Sequence, residues 1–206
     1  MYEYRKATPE QRKLLVEERL RRGFPSHEPP HLEGDLGLYL VTAACYEHRP
    51  IMREAERRLQ LLEKLDEVLD AEGAHLCAWV VLPNHYHLLL RLEDLQALGR
   101  LFHLVHGSLS HAWNAEDRAR GRRVWYRFSD RAIRGERHYH AALNYVHYNP
   151  VKHGWASSPY AWEQSSVHSY LELYGRDWLR DLWVTHPIRD LGRGWDDLDA
   201  GDEPGS

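Results

Sequence analysis

The pattern of apolar and polar positions predicts a regular alternation of strands and helices along most of the chain. Short runs of apolar, β-branched and aromatic residues predict strands, whereas apolar residues spaced three and four apart predict amphipathic helices. In chain order the pattern predicts a helix over 8–22, a strand over 38–46, a helix over 51–71, strands over 75–82 and 85–92, a helix over 95–115, a strand over 124–133 and a helix over 136–148.

This order of elements predicts an α+β fold. From residue 38 to residue 133 it reads βαββαβ, which is the ferredoxin-like pattern with an antiparallel sheet. The Pro83-Asn84 dipeptide between the second and third strands is a turn signal, so these two strands are expected to form a hairpin. The helix over 136–148 follows the sheet, and Asn149-Pro150 is expected to end it, because a residue before proline disfavours helical geometry.

Shifts in composition divide the chain into three parts. Residues 1–36 are interpreted as an N-terminal helical arm and linker, and residues 37–155 as the core with its last helix. Residues 156–206 form a C-terminal extension that is expected to contain helix. Its end, over 187–206, is rich in Gly, Pro and Asp, so we expect an acidic, disordered tail.

The composition places the chain among globular proteins. Of its 206 residues, 43% are hydrophobic and 28% are charged, which suits one domain with extensions. No stretch approaches the roughly 18 apolar residues of a transmembrane helix, and the first residues show no apolar core of a secretory signal. The two cysteines, Cys45 and Cys77, are too few for a disulfide scaffold or a four-cysteine zinc site, and predict a cytoplasmic location.

Charge is distributed unevenly along the chain. The net charge is −4, but residues 176–206 hold eight acidic against four basic residues, and residues 117–137 hold eight arginines against three acidic residues. A local basic region interleaved with aromatic residues is typical of a surface that binds a polyanion, although a solvated arginine-rich loop explains the charge equally well. The candidate residues of such a nucleic-acid-binding surface are Arg118, Arg120, Arg122, Arg123, Arg127, Arg131 and Arg134.

A pair of histidines at the start of the third strand is the first candidate for chemistry. His85 and His87 are two residues apart, so on a strand both imidazoles point to one face, while Tyr86 points to the other. Two neutral imidazoles at this spacing are able to bind one divalent metal ion. The alternative is ordinary packing of two histidines on a strand face.

The second candidate lies on the last predicted helix. Tyr145 and Asn149 are four residues apart and share one helix face. A phenol is a weak nucleophile at neutral pH, so it needs an electrophile that a metal has made more reactive, and the Asn149 amide oxygen is a further candidate ligand. Together with the histidine pair, these residues suggest phosphoryl transfer, with open metal positions for a phosphate oxygen and water. The alternative is a boundary tyrosine followed by a helix-ending Asn-Pro.

Two segments of the chain carry a family resemblance. The segment VVLPNHYHLLL, followed by RFSDRAIRGERHYHAALNYVHYNPVKHGW, resembles the REP-associated tyrosine transposases, which belong to the single-tyrosine HUH transposases. In these proteins two histidines flank a hydrophobic residue. The resemblance runs from about residue 38 to residue 170, and it implies a ferredoxin-like sheet with a tyrosine-bearing helix packed on it.

The resemblance also implies roles for individual residues. His85 and His87 match the metal-binding pair, Asn149 matches the side chain that completes the metal site, and the metal is Mg²⁺ or Mn²⁺. Tyr145 matches the nucleophile that forms a 5′-phosphotyrosine link to single-stranded DNA and leaves a 3′-hydroxyl; Tyr148 is an alternative nucleophile. The implied partner is single-stranded DNA with a hairpin, bound by a monomer or a homodimer, with the tyrosine helix in cis or swapped.

Three functions therefore remain open from the sequence. The leading hypothesis is a metal-dependent single-strand DNA endonuclease and strand transferase acting at palindromic hairpins. The second is a catalytically retired or domesticated nucleic-acid binding protein with the same fold. The third is a phosphoesterase that uses a metal bound by histidines and needs no tyrosine. A covalent protein–DNA adduct, and its loss in Tyr145→Phe, would discriminate among them.

Overall fold

The computed structural model of the chain describes residues 37–189 and 191–192. The helix predicted over 8–22 and the acidic end of the chain from residue 193 lie outside the described residues. The predicted division into three parts stays a prediction.

The centre of the molecule is one four-stranded antiparallel sheet. Its strands are β1 (Leu38–Ala44), β2 (His75–Val81), β3 (His85–Arg91) and β4 (Ser129–Ala132), in the spatial order β2-β3-β1-β4. All three neighbouring pairs are antiparallel. This is the strand order of the βαββαβ pattern, and the predicted ferredoxin-like α+β fold is confirmed.

Helices cover both faces of the sheet. They are α1 (Ala55–Ala71), α2 (Ala97–Glu116), α3 (Glu136–Lys152) and α4 (Val167–Thr185), with short 3₁₀ turns at Tyr46–His48 and Pro159–Ala161. Both α1 and α2 begin a few residues later than predicted. None of the helices in the described part of the chain has the length and apolar character needed to cross a membrane.

The alternation of side chains along β3 separates two hydrophobic cores. Tyr86, Leu88 and Leu90 belong to the core between the sheet and the helices α1 and α2. Leu89 belongs to the core beneath α3 and α4, and His85 and His87 lie on the same side of the strand. The prediction that both histidines share one face, opposite Tyr86, is therefore confirmed.

The fourth strand is shorter than predicted. Instead of 124–133, only Ser129–Ala132 pairs regularly with β1. The preceding residues form one isolated bridge, between Trp125 and Cys45, the residue that follows β1. This bridge is one residue out of the β1–β4 register. The apolar alternation there arises because Val124 and Trp125 pack into the core, not because the segment continues the ladder.

The last core helix is longer than predicted. Asn149-Pro150 does not end it, since α3 continues to Lys152 with Pro150 inside. A proline within a helix forfeits one backbone hydrogen bond and costs about 3 kcal/mol in an exposed helix. Here Asn149 and Pro150 are buried. The helix ends where the His153 N–H donates a hydrogen bond to the Asn149 carbonyl. Tertiary packing therefore overrides the local stop signal.

The C-terminal segment (residues 187–189 and 191–192) is packed, which corrects the expected start of the disordered tail at residue 187. Ile188 and Leu191 contact the core beneath α3 and α4, and Gly192 is buried. The prediction was wrong because it rested on the average Gly, Pro and Asp content of the segment. That average takes no account of Ile188 and Leu191, the two apolar residues that pack against the core.

Candidate active site

The two histidines of β3 lie buried side by side beneath α3. His85 is 3% exposed and His87 is 0% exposed. Their rings meet edge to face with centroids 5.1 Å apart. The strand begins at His85, directly after the Pro83-Asn84 turn, so the pair lies at the end of the sheet.

One nitrogen of each imidazole is held by a neighbouring oxygen. His85 Nδ1 lies 2.8 Å from Asn84 Oδ1, and His87 Nδ1 lies 2.7 Å from Thr42 Oγ1. Thr42 reaches His87 because the two residues are direct partners in the β1–β3 register. Each contact fixes the orientation of its ring, which leaves the Nε2 atom on the other side of the imidazole.

The α3 helix brings two polar side chains to these Nε2 atoms. The Tyr145 hydroxyl lies 3.4 Å from His87 Nε2, and Asn149 Oδ1 lies 3.0 Å from His85 Nε2. Tyr145 is 1% exposed and Asn149 is 0% exposed. The structure thus brings together all four residues that the sequence predicted for the site.

The donor set suits a divalent cation. Within residues 37–189 and 191–192, no three His, Cys, Asp or Glu side chains are grouped to bind a metal, so the available ligands are two imidazoles and an amide oxygen. Asn149 Nδ2 is buried without a hydrogen-bond partner among the described atoms, while Oδ1 faces His85. Nitrogen and oxygen donors of this kind fit a first-row divalent metal.

Several neighbours of the site were missed by the sequence analysis. Lys152 Nζ lies 5.0 Å from the centre of the Tyr145 ring and donates to the Gly192 carbonyl at 3.2 Å. A side chain at Gly192 (φ 81°) would have its Cβ 2.0 Å from Tyr145 Cε2. The His153 ring lies 4.7 Å from that of His85. Lys152 and His153 had a sequence signal, because they follow Asn149 by three and four residues.

Neither cysteine is a candidate nucleophile. Both are free and buried, and burial raises the pKa of the Cys45 thiol to about 12 and that of the Cys77 thiol to about 11. A thiol in such surroundings is not a thiolate at neutral pH. Tyr148 is 43% exposed, and it is the Tyr145 hydroxyl that reaches His87.

The arginine-rich stretch divides into anchored and exposed side chains. Arg122 pairs with Asp117 at 2.8 Å and donates to Asn114 at 2.9 Å, whereas the Arg123 guanidinium lies 4.6 Å from the centre of the Tyr46 ring. These two arginines hold the loop after α2 in place. Arg122 is half-buried, whereas Arg123, although it lies against Tyr46, is exposed. The other exposed candidates are Arg118, Arg120, Arg127, Arg131 and Arg134.

Comparison with known proteins agrees with the resemblance. A REP-associated tyrosine transposase of Escherichia coli is 32% identical over 109 residues, which are 51% of this chain and 62% of that protein. A putative REP-associated tyrosine transposase of Haemophilus influenzae is 30% identical over 110 residues, 48% of this chain and 62% of that protein. The resemblance to REP-associated tyrosine transposases is confirmed.

Two further findings complete this comparison. The alignment spans less than two thirds of the length of both REP-associated tyrosine transposases, and no family model matches the chain. A solved structure of a REP-associated tyrosine transposase bound to a REP hairpin is similar over 89% of this chain and 94% of its own, with a TM-score of 0.55 and 22% identity. At this identity the likeness shows the shared fold.

Proposed function

We propose that this protein is a metal-dependent single-strand DNA endonuclease and strand transferase that acts at hairpin DNA through a phosphotyrosine on Tyr145. The observation that carries the proposal is the placement of a phenol and an amide oxygen, one helical turn apart, against the two histidine Nε2 atoms at 3.4 Å and 3.0 Å. The names of the relatives and the hairpin bound to the structural neighbour support it.

The chain's own residues prepare the reaction by fixing donor atoms. Thr42 and Asn84 hold the Nδ1 atoms, so that Nε2 of His87 and of His85 face α3. His85, His87 and Asn149 would hold Mg²⁺ or Mn²⁺, which would withdraw charge from a phosphate oxygen. The buried surroundings strengthen such electrostatic effects by excluding water.

The proposed step is an exchange of one phosphate ester for another. The Tyr145 phenol oxygen forms a bond to phosphorus, and the bond from phosphorus to the 3′-oxygen of the preceding nucleotide breaks. That leaving oxygen takes a proton equivalent to the one the phenol loses, which gives a free 3′-hydroxyl. The number of ester bonds is unchanged, so a 3′-hydroxyl is able to rejoin the strand by the reverse reaction without ATP.

A second candidate is a DNA-binding protein that no longer turns over. The observation that favours it is the burial of the proposed nucleophile, since Tyr145 is 1% exposed and Gly192 packs against its ring. A nucleophile has to meet a phosphate, so catalysis requires that this cover moves when DNA binds.

A covalent-adduct assay tests the proposal. DNA that carries a hairpin, a single-stranded flank and a label at its 3′ end is incubated with the protein and Mn²⁺ or Mg²⁺, and a denaturing gel then separates free from protein-linked label. The label is placed at the 3′ end because the proposed step joins Tyr145 to the fragment on the 3′ side of the cut. We expect a labelled band shifted by the mass of the protein. The band should disappear with EDTA and in Tyr145→Phe, and persist in the matched variant Tyr148→Phe.

The other outcomes identify the alternatives. Metal-dependent cleavage that survives Tyr145→Phe without any adduct would establish a phosphoesterase that uses the histidines alone. Salt-sensitive binding of several hairpins without cleavage would establish the retired DNA-binding protein. Loss of the adduct in Tyr148→Phe but not in Tyr145→Phe would identify Tyr148 as the nucleophile.

A further inference from the structure

A groove with a cavity of about 640 Å³ lies beside the first turn of α3, away from the histidines. One wall is the start of the helix, with Arg134, Arg137 and Ala141, and the opposite wall is the C-terminal segment, with Ile188, Arg189 and Leu191. Two parts of the chain that are far apart in sequence therefore form it together.

The charge of the groove is positive. Arg134, Arg137 and Arg189 are exposed on its two walls. Glu136 is the acidic residue among those lining it, and its carboxylate is 79% exposed and pairs with His140 at 3.8 Å. Burial, and then the charge of Arg134, lower the pKa of His138, so this side chain is neutral at pH 7. Three guanidinium groups against one carboxylate favour an anionic ligand.

The backbone of the groove adds further donors. The first hydrogen bond within α3 runs from Tyr139 N–H to the Gly135 carbonyl, and Gly135 offers no side chain to cap the helix. The backbone N–H groups of residues 136–138 therefore come before the first hydrogen bond of the helix, as the first N–H groups of any helix do. Donors of this kind suit a phosphate, and they add to the arginines on both walls.

The rest of the groove lining is apolar. Ala141, Pro187, Ile188 and Leu191 are the apolar side chains among the residues that line it. An inorganic anion gains nothing from such a surface, whereas the flat face of an unpaired base does. The combination of cationic edges and an apolar floor matches a nucleotide unit of a single strand.

We propose that this groove binds the backbone phosphate and the base of a single-stranded DNA segment that leads to Tyr145. The inference rests on the proposed function for the identity of the polymer. Leu191 lines the groove, and the next residue, Gly192, lies on the Tyr145 ring. From Glu136 to Tyr145 the helix rises about 13 Å, which about four stacked nucleotides span.

Binding of a labelled oligothymidylate of about twelve nucleotides, measured by fluorescence anisotropy at several salt concentrations, tests this site. We expect Arg137→Ala and Arg189→Ala each to weaken binding about threefold to tenfold and to reduce the slope of log K against log salt by about 0.7. The matched control is Arg100→Ala on α2, across the sheet, where a guanidinium that is 62% exposed is removed. This control should bind like the unchanged protein.

A second variant tests the apolar floor without changing charge. Ala141→Trp should fill the groove and weaken binding of the oligothymidylate more than binding of an abasic oligomer of the same length. Thermal melts followed by circular dichroism establish that each variant is folded, and Arg134→Ala replaces any variant that is not. Binding equal to that of Arg100→Ala in all folded groove variants would overturn the proposal.

The two proposals fail in different ways. Binding needs no covalent step and is measured with EDTA present, so the absence of an adduct would leave the groove intact if its arginines still control affinity. Conversely, if the groove variants form the adduct and bind DNA normally, the proposed role of the groove is wrong and the proposed function of the protein stands.

Discussion

The sheet carries a tyrosine–histidine pair on each face, and the two pairs differ in their surroundings. On the α1 and α2 side, the Tyr86 hydroxyl and His106 Nε2 are 2.8 Å apart. On the α3 side, the Tyr145 hydroxyl and His87 Nε2 are 3.4 Å apart. The Tyr86–His106 pair has the shorter hydrogen bond, but it is the Tyr145–His87 pair that is surrounded by the polar groups of a candidate active site.

The neighbours of His106 are aromatic. It stacks on Trp125 with ring centres 4.3 Å apart and lies 5.5 Å from the centre of Phe102. Burial lowers the pKa of His106 to about 3 and raises the pKa of Tyr86 well above its usual value. Both groups are therefore neutral at pH 7 and stabilise the core.

The neighbours of His87 are polar. Thr42 holds its Nδ1, His85 lies beside it, and Asn149 adds an amide oxygen to His85. A tyrosine next to a histidine is therefore not by itself evidence of catalysis. The second imidazole and the amide oxygen beside His87 distinguish the two faces.

The largest expected difference between the faces is in activity. His87→Ala and His85→Ala should lower the rate of adduct formation by more than about a hundredfold, because each removes one of the two imidazoles of the proposed metal site. His106→Phe, which keeps the aromatic volume on the other face, should leave the rate within about twofold of the unchanged protein. Gel quantification of initial rates checks this. An equal loss in all three variants would end the distinction between the faces.

The next effect concerns the hydroxyl behind His87. Thr42→Val keeps the shape of the side chain but removes the partner of Nδ1, and should weaken Mn²⁺ binding about tenfold to a hundredfold. Thr185→Val at the end of α4 is the matched control. Calorimetric titration of Mn²⁺ into the protein without DNA measures affinity separately from catalysis. An unchanged affinity in Thr42→Val would show that Thr42 does not orient the imidazole.

A smaller effect is expected on the free energy of unfolding. Here the larger loss is expected on the α1 and α2 face and not on the α3 face. Tyr86→Phe should lower the free energy of unfolding by about 2 kcal/mol, because His106 Nε2 loses its 2.8 Å partner in a buried place. Tyr145→Phe should lower it by less, since the 3.4 Å contact that it removes is weak. Urea unfolding compares the two variants. A larger loss in Tyr145→Phe would contradict the structural role of the Tyr86 pair.

The smallest expected effect is on the pH dependence of stability. The pKa of His106 is lower in the fold than its ordinary value of 6.5, so below that value the unfolded chain binds a proton that the folded protein does not. His106 should therefore cost about 1 kcal/mol of stability as the pH falls from 7 to about 5.5. His106→Phe should show a shallower loss in urea unfolding over this range; an identical slope would contradict the assignment.

The sequence by itself determined the order of the elements and the faces of the strands. Apolar residues repeat every two residues in a strand and every three to four in a helix, and both repeats are visible within a few neighbouring positions. The βαββαβ order and the shared face of His85 and His87 therefore followed from local spacing. The one-turn spacing of Tyr145 and Asn149 was likewise local, and placed both side chains on one face of α3.

Only the tertiary structure decided how these local pieces meet. Thr42 reaches His87 across 45 residues of sequence, and Asn149 reaches His85 across 64, because strand register and the packing of α3 bring them together. The same packing carries α3 through Pro150 and lays Gly192 on the Tyr145 ring, against the local signals for a helix end and a disordered tail. Burial of distant apolar surface outweighs the preference of a few residues, and no local pattern records where that surface lies.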